Sequence, residues 1–173
     1  MTNYDRLKAV NYAKKWAYGR NGNYYSFNGI GGDCTNFVSQ CLFAGSGVMN
    51  YTKNLGWYYN NVNDRAPAWT GVEFLRQFLL NNKGENGIVG NGSGPYGIEV
   101  DKNNVDVGDV VFLKNDFKFF HSAIIVGFRG KIPLVASHTN DVFNFPLYNY
   151  NYKSLSYLHI LNVVICQTKC NTF

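Results

Sequence analysis

The sequence predicts an α+β fold in which N-terminal helices pack on a C-terminal antiparallel sheet. Three segments before residue 81 have apolar side chains at helical spacing, whereas every strand pattern lies after residue 105. Helices and strands that are segregated along the chain in this way are typical of α+β domains. The 173 residues, of which 46% are hydrophobic and 17% aromatic, suffice for a two-layer core and for one domain, 1–173.

The first helix is predicted between residues 4 and 17. Its apolar side chains recur at helical spacing: Tyr4, Leu7, Val10, Ala13 and Ala17. Thr2 or Asn3 is a suitable N-cap residue, and Gly19 should end the helix. The following segment, 20–29, is rich in glycine and asparagine and therefore predicts a surface loop.

The second helix is predicted to begin at Cys34, after two glycines and Asp33. One face of this helix is apolar: Cys34, Phe37, Val38, Cys41 and Leu42. We expect Gly45 and Gly47 to end it. Cys34 and Cys41 lie about 10 Å apart by helical rise, which is too far for a disulfide, so we expect free thiols.

Aromatic residues are frequent between residues 48 and 66, where no clear periodicity is present. Trp57 and Tyr58 have two interpretations, as core residues beneath a long loop or as platforms that line a substrate groove. Helical spacing returns from Trp69 to Leu80 with Thr70 as the cap, and this predicts a third helix. The glycine-rich segment 83–97 predicts a long loop that is mobile or borders a binding site.

Four strands are predicted in the second half of the chain, at 110–113, 121–127, 132–136 and 158–166. Short turns join the first three strands, which should therefore form a meander. His121 shares a face of its strand with Ala123 and Ile125, and His138 shares a face with Ala136. We therefore expect both histidines to point from neighbouring strands toward one helix.

Cys34 is the candidate nucleophile. The positive end of a helix favours the thiolate and lowers a cysteine pKa from about 8.5 to between about 3.5 and 7.5. Free cysteines are often buried structural residues, and this is the alternative interpretation of Cys34. The glycines before the helix and the two downstream histidines favour the catalytic interpretation.

The expected chemistry is attack of the Cys34 thiolate on a carbonyl carbon, with His121 as the base that later protonates the leaving amine. We assign His138 to orient the imidazole of His121, with Asn140 and Asp141 as the alternatives for that role. The backbone N–H of Cys34 should be one donor to the oxyanion. This reaction needs no metal and no cofactor, and Cys166 and Cys170 have no spacing typical of metal ligands.

The motifs together resemble a bacterial family, the putative amidase domain family, which is related to the NlpC-like and CHAP cell-wall hydrolases. The resemblance extends over nearly the whole chain and rests on five segments: 31–40, 57–59, 108–110, 121–126 and 137–139. It implies a papain-like core and hydrolysis of amide bonds in the stem peptides or crosslinks of peptidoglycan. It also implies that Asp33 binds a free amino group of the substrate, whereas capping of the helix is the structural interpretation of this residue.

Charge and hydropathy limit the partners. The net charge is +5 and the pI is near 9.0, but the basic residues form no cluster of the kind that binds nucleic acid. No apolar run approaches the roughly 20 residues of a membrane span, and the N-terminal residues do not form a signal peptide. We expect a monomer that acts on peptidoglycan or a peptide, either at the cell wall if another segment exports it or stored in the cytoplasm before lysis.

Three other classes use a similar shell. An effector or toxin cysteine protease would cut proteins, and an interaction module would keep the shell without hydrolysis. An acyltransferase would use the same cysteine and histidine but needs an apolar acyl channel, and the loops of this chain are aromatic and polar. Amide hydrolysis is the function that the sequence favours.

Overall fold

The computed structural model of the protein describes residues 1–83 and 92–165. Within these residues the chain forms four α-helices: α1 (Arg6–Trp16), α2 (Cys34–Ser46), α3 (Pro67–Thr70) and α4 (Val72–Asn81). It also forms nine strands: β1 (Thr2–Asn3), β2 (Tyr59–Asn61), β3 (Asp64–Arg65), β4 (Gly94–Val100), β5 (Val110–Lys114), β6 (Phe119–Arg129), β7 (Ile132–Ser137), β8 (Val142–Pro146) and β9 (Ser154–Val164). The predicted arrangement of early helices and a later antiparallel sheet is confirmed.

Seven strands form one antiparallel sheet in the order β1-β9-β5-β6-β7-β8, and β4 also pairs with β9. Strands β2 and β3 form a separate two-stranded ribbon. Strands β5, β6 and β7 are neighbours in the sheet, which confirms the predicted meander. Within residues 1–83 and 92–165, no helix has the length and the apolar character needed to cross a membrane.

Two hydrophobic clusters cover the two faces of the sheet. The cluster that faces the helices joins Phe37 of α2 to Phe112, Ile124 and Ala136 of the sheet. The cluster on the opposite face contains the alternating residues of the same strands: Val111, Leu113, Ala123, Ile125, Val135 and, from the following turn, Leu147. Successive side chains of a strand point to opposite faces, so neighbouring apolar residues of these strands alternate between the two clusters.

The first helix begins later than the sequence predicts. Thr2 and Asn3 pair with β9, so neither caps α1. The N-cap is Asp5, whose carboxylate accepts a hydrogen bond from the backbone N–H of Lys8. The sequence pattern misses this because a two-residue edge strand has no periodicity.

Gly45 lies inside α2, so the prediction that this glycine ends the helix is wrong. A Cβ atom at this position would lie 2.4 Å from the ring of Tyr4 and 2.8 Å from the carbonyl oxygen of Asp5. The helix ends at Gly47, which has a φ of 69° and closes the last turn. Gly45 therefore lets the start of the chain pack directly against α2.

The predicted third helix is divided into α3 and α4 at Gly71, which has an extended backbone. Strand β4 was expected to be part of a long loop, because glycine and proline conceal its strand pattern. Residues 84–91 of that predicted loop lie outside the described residues, as do Cys166 and Cys170.

Candidate active site

Cys34 is the first residue of α2 and is 7% exposed. The two preceding glycines, Gly31 and Gly32, have φ values of 89° and 103°, in the left-handed region that glycine adopts without strain. The side chain of the N-cap residue Asp33 accepts no hydrogen bond from the backbone N–H groups of the helix. The first backbone N–H groups of α2 therefore have no side-chain cap beside the sulfur atom.

The environment of Cys34 favours the thiolate. Burial raises the pKa of the thiol, but the hydrogen bond and charge of His121 lower it. Smaller contributions from the backbone N–H of Ser122 and the hydroxyl of Thr35 act in the same direction, and the resulting pKa is about 7. By contrast, burial raises the pKa of Cys41 well above its ordinary value. Both cysteines are free, and Cys34 is the one suited to act as a nucleophile.

His121 is held on its far side by a serine. Its Nε2 atom lies 2.8 Å from the hydroxyl of Ser137, and this hydroxyl donates to the carbonyl oxygen of His138 at 2.7 Å. Because the hydroxyl has only one proton, it accepts from Nε2–H of His121. This tautomer leaves Nδ1 as the nitrogen that can exchange a proton with the sulfur of Cys34.

A β-bulge in β6 determines which side chains meet His121. Gly127 pairs with Leu134, but Ile125 pairs with Val135, so Val126 is an extra residue in β6. An extra residue shifts the pairing by one position and moves the following side chains to the other face.

The expectation that both histidines lie on the same face of the sheet is therefore wrong, although both reach the start of α2, His121 at Cys34 and His138 at Asp33. His121 alternates with Ala123 on the face away from the helices, where Val135 also lies, and Ser137 follows Val135 on that face. His138 lies on the helix-facing side, where its ring stacks on Phe37 at 4.0 Å.

His138 belongs to a different network. Its Nδ1 atom lies 2.7 Å from the carboxylate of Asp33, and its Nε2 atom lies 2.9 Å from the carbonyl oxygen of Trp16. A guanidinium nitrogen of Arg20 is 3.3 Å from Nε2. Among the described residues, the hydrogen bonds of the His138 ring connect it to these groups and not to His121. The structure thus places Ser137 at the position that the sequence analysis gave to His138.

The alternatives for the orienting role also lie elsewhere. Asp141 forms two hydrogen bonds, of 3.0 and 2.9 Å, with the guanidinium group of Arg20. Asn140 is exposed. Neither residue is brought to the imidazole of His121 by a hydrogen bond within residues 1–83 and 92–165.

Asp33 is fully buried and fixes the loop before the nucleophile. Its carboxylate accepts hydrogen bonds from the backbone N–H of Phe27 at 2.9 Å, the side-chain amide of Asn36 at 2.8 Å and Nδ1–H of His138 at 2.7 Å, and Arg20 lies 3.4 Å away. Burial raises the pKa of Asp33, but these hydrogen bonds outweigh it, so the pKa is below its ordinary value. The carboxylate does not cap α2, and binding of a substrate amine, which stays a prediction, would have to displace these partners.

Trp57 and Tyr58 have different environments. Trp57 is completely buried, its indole N–H donates to the hydroxyl of Ser39 at 2.9 Å, and its ring lies 5.0 Å from that of Trp69. The core interpretation therefore fits Trp57, and a substrate platform does not, because the ring has no free face. Tyr58 is half-buried and stacks on the exposed ring of Tyr51 at 5.1 Å. A role for Tyr58 in substrate binding stays a prediction.

The sequence analysis missed two residues of the site, Ser137 and Tyr150. The ring of Tyr150 lies 5.2 Å from that of His121. Gly127, an isolated glycine within a strand pattern, was a signal of the bulge and could have pointed to Ser137. Tyr150 has no comparable signal, because it lies in the irregular segment between β8 and β9.

The described parts of the chain, 1–83 and 92–165, contain no group of three or more His, Cys, Asp or Glu side chains placed to hold a metal ion. Asp109 is buried with Arg6 at 2.6 Å and His159 at 2.8 Å, and its carboxylate also accepts from the backbone N–H of Ile160. These contacts tie the start of α1 to the sheet and are structural.

The chain is similar to a protein family and to a bacterial protein. The family model described as "Putative amidase domain" matches residues 3–161. The chain is 33% identical over 144 residues to the uncharacterized protein YhbB of Bacillus subtilis (strain 168), and the match includes 80% of this chain. It spans 42% of the length of that protein. No solved structure matches the chain.

Proposed function

Because the chain belongs to the putative amidase domain family, we propose that it is a cysteine-dependent amide hydrolase with Cys34 as nucleophile and His121 as base. The observation that carries the proposal is the contact of these two side chains at the start of α2. The interaction of His121 with the sulfur lowers the pKa of Cys34 to about 7, even though burial opposes ionisation. A Cys34 pKa near neutrality provides the thiolate at physiological pH, and in the proposed reaction the proton of the thiol passes to Nδ1 of His121.

In the proposed mechanism, the thiolate of Cys34 attacks the carbonyl carbon of the amide. The Sγ–C bond forms and the electron pair of the C=O bond moves to the oxygen. The backbone N–H groups at the start of α2 stabilise this oxyanion. They are available because the carboxylate of Asp33 bonds to other groups, among them His138, and does not cap the helix. The imidazolium of His121 then gives its Nδ1 proton to the leaving nitrogen as the C–N bond breaks.

Hydrolysis of the thioester completes the cycle. His121, now neutral, takes a proton from water, and the hydroxide attacks the thioester carbonyl and releases Cys34. Throughout the cycle Ser137 keeps the imidazole in one orientation through its 2.8 Å contact with Nε2. In this proposal Ser137 has the place that an asparagine or aspartate has in other triads.

Peptidoglycan is the proposed substrate. Two observations support this choice: the resemblance of the motifs to those of cell-wall hydrolases and the net charge of +5, which suits an anionic polymer. The proposal includes a papain-like core, since the nucleophile begins a helix that packs on an antiparallel sheet. The helix and the sheet are joined here by Phe37 and the strand residues around Ile124.

The test is digestion of purified peptidoglycan followed by mass spectrometry of the products. A new free amine on the sugar-proximal alanine would identify an N-acetylmuramoyl amidase, and cleavage in the stem or bridge would identify an endopeptidase. Cys34→Ala should abolish either product, and Cys41→Ala is the matched control because Cys41 is buried in the core. Intact peptidoglycan after treatment with the active protein would refute the substrate, and activity of Cys34→Ala would refute the nucleophile.

A further inference from the structure

Tyr150 presents a hydroxyl group to which the described part of the chain makes no hydrogen bond. Its ring lies between those of His121, at 5.2 Å and 37°, and Phe145, at 5.2 Å and 80°. The hydroxyl is buried, and among the described residues it has no hydrogen-bond partner. Buried polar groups without a partner are rare in proteins because burial removes them from water without compensation. Such a group beside a candidate catalytic histidine calls for an explanation in terms of function.

The surroundings of this hydroxyl leave it available as a donor. Its neighbour Ser137 already accepts from His121 and donates to the carbonyl oxygen of His138. Burial raises the pKa of Tyr150, the Ser137 hydroxyl partly offsets this, and the negative charge of Cys34 raises it further. The phenol therefore keeps its proton at neutral pH and lies within electrostatic reach of the nucleophile.

We infer that the Tyr150 hydroxyl donates a hydrogen bond to the substrate carbonyl oxygen when this oxygen becomes negatively charged. The inference rests on the proposed function, because it requires Cys34 to be the nucleophile. The group that satisfies the hydroxyl is then the substrate itself, which accounts for the lack of a hydrogen-bond partner within residues 1–83 and 92–165. Tyr150 would supply the second oxyanion donor beside the backbone N–H groups of α2.

The same geometry allows a second role for the Tyr150 hydroxyl, which competes with oxyanion donation. The hydroxyl could act through Ser137, and hence through the orientation of His121, without touching the substrate. These roles differ in the step that they affect. A positioning role changes the formation of the Cys34 thiolate, whereas an oxyanion donor affects only reactions that form a tetrahedral intermediate.

Two small reagents separate the two roles without knowledge of the natural substrate. Iodoacetamide is displaced directly at carbon by the thiolate, with loss of iodide and no oxyanion. With p-nitrophenyl acetate, the thiolate attacks the ester carbonyl and forms an Sγ–C bond. The tetrahedral intermediate then collapses to an acetyl thioester as the C–O bond to nitrophenolate breaks. Nitrophenolate leaves without a proton, so the acetylation rate does not depend on acid catalysis by His121.

The variant to compare is Tyr150→Phe, which removes only the hydroxyl. The matched control is Tyr148→Phe, since Tyr148 is in the same segment but 58% exposed. Cys34→Ala gives the background of nitrophenolate release at other residues. Thermal unfolding of each variant shows whether the fold is retained, and loss of an unpartnered hydroxyl should leave the midpoint of Tyr150→Phe unchanged or raised.

We expect Tyr150→Phe to lower the rate of Cys34 acetylation by about 10²–10³-fold and its alkylation by iodoacetamide by less than about twofold. Unchanged acetylation in a folded Tyr150→Phe would overturn the inference, as would a parallel loss of both reactions. Absence of Cys34-dependent acetylation in the unaltered protein would instead refute the proposed nucleophile and the inference with it. Activity on peptidoglycan does not enter the comparison, so a wrong substrate would not affect the outcome.

Discussion

The hydroxyl of Ser137 lies 2.8 Å from Nε2 of His121 and donates its own proton to the carbonyl oxygen of the next residue in the chain, His138, at 2.7 Å. The direction of both hydrogen bonds is therefore determined, and so is the tautomer of the imidazole. An orientation set by one hydroxyl is weaker than one set by a carboxylate, because the serine carries no charge. The site should consequently be sensitive to the loss of each of its few polar contacts.

Cys34 should react with iodoacetamide in a pH range where Cys41 does not. The pKa of Cys34 is about 7 and that of Cys41 is raised well above its ordinary value by burial. The rate of Cys34 alkylation should therefore reach half its maximum near pH 7, while Cys41 stays unlabelled in the folded protein. Peptide mapping by mass spectrometry distinguishes the two residues, and labelling of both in urea is the control. Equal labelling at pH 7 without urea would argue against a special role for Cys34.

Ser137→Ala should reduce turnover by about 10–100-fold with little change in KM, because it removes the partner that orients His121. Alkylation of Cys34 should shift to higher pH in the same variant, since a freely rotating imidazole stabilises the thiolate less well. Ser137→Thr keeps a hydroxyl and is the rescue variant. If folded Ser137→Ala retains full turnover while folded His138→Ala loses it, the orienting role belongs to His138 after all.

Asp33→Asn should destabilise the protein by about 1–3 kcal/mol at pH 7, because the buried ring of His138 loses its charged acceptor and Arg20 keeps only Asp141 as an ionic partner. The pKa of Asp33 is lowered by folding, so its stabilising contribution is complete above the unfolded pKa, about 3.9. This contribution is lost as the pH falls through the lower pKa of the folded state. The difference between the two proteins should therefore narrow below pH 4.

Urea denaturation at several pH values measures this difference. Asp141→Asn is the matched control, because Asp141 pairs with the same Arg20 but is partly exposed, and its loss should cost less than about 1 kcal/mol. A difference between Asp33→Asn and the unaltered protein that stays constant from pH 7 to pH 3 would contradict the assignment.

Gly45→Ala should destabilise the protein by about 1–3 kcal/mol through overpacking. The new methyl group would overlap the Tyr4 ring and the carbonyl oxygen of Asp5. An alanine in a helix normally stabilises relative to glycine, so the sign of the effect reports the clash. Gly22→Ala, where nothing lies within 4 Å of the added carbon, is the control and should leave the unfolding temperature nearly unchanged. A rise in the unfolding temperature of Gly45→Ala would show that the start of the chain does not pack against α2.

Local sequence patterns predicted the features that depend on local chemistry. The two glycines before Cys34 and the apolar face from Phe37 to Leu42 correctly placed the start of α2, and short turns correctly placed the meander. Strand register is a different quantity, because it depends on every residue between two paired positions. The single extra residue at Val126 reversed the expected face of His121 relative to His138. Periodicity could not reveal it.

Other features depend on contacts between residues that are distant in the sequence, so local patterns do not predict them. Trp57 carries the same aromatic chemistry whether it is buried or exposed, and only packing against Trp69 and Ser39 decides between the two. Strand β4 is stabilised by its pairing with β9, although its glycines and proline disfavour a strand locally. Tyr150 reaches His121 only after the chain has passed through β7 and β8.

The bulge at Val126 determines which of two adjacent residues, Ser137 or His138, shares a face of the sheet with His121. If the bulge were lost at unchanged chain length while Arg129 stayed paired with Ile132, Ile125 would pair with Ala136, and position 138 would share the face of His121 in place of position 137. Deletion of Val126 itself would keep Ile125 paired with Val135 and so keep Ser137 beside His121. In alignments of relatives, a one-residue gap at the bulge therefore preserves a neutral hydroxyl beside this histidine, whereas a gap between His121 and Ile125 with the bulge retained would place an ionisable imidazole there.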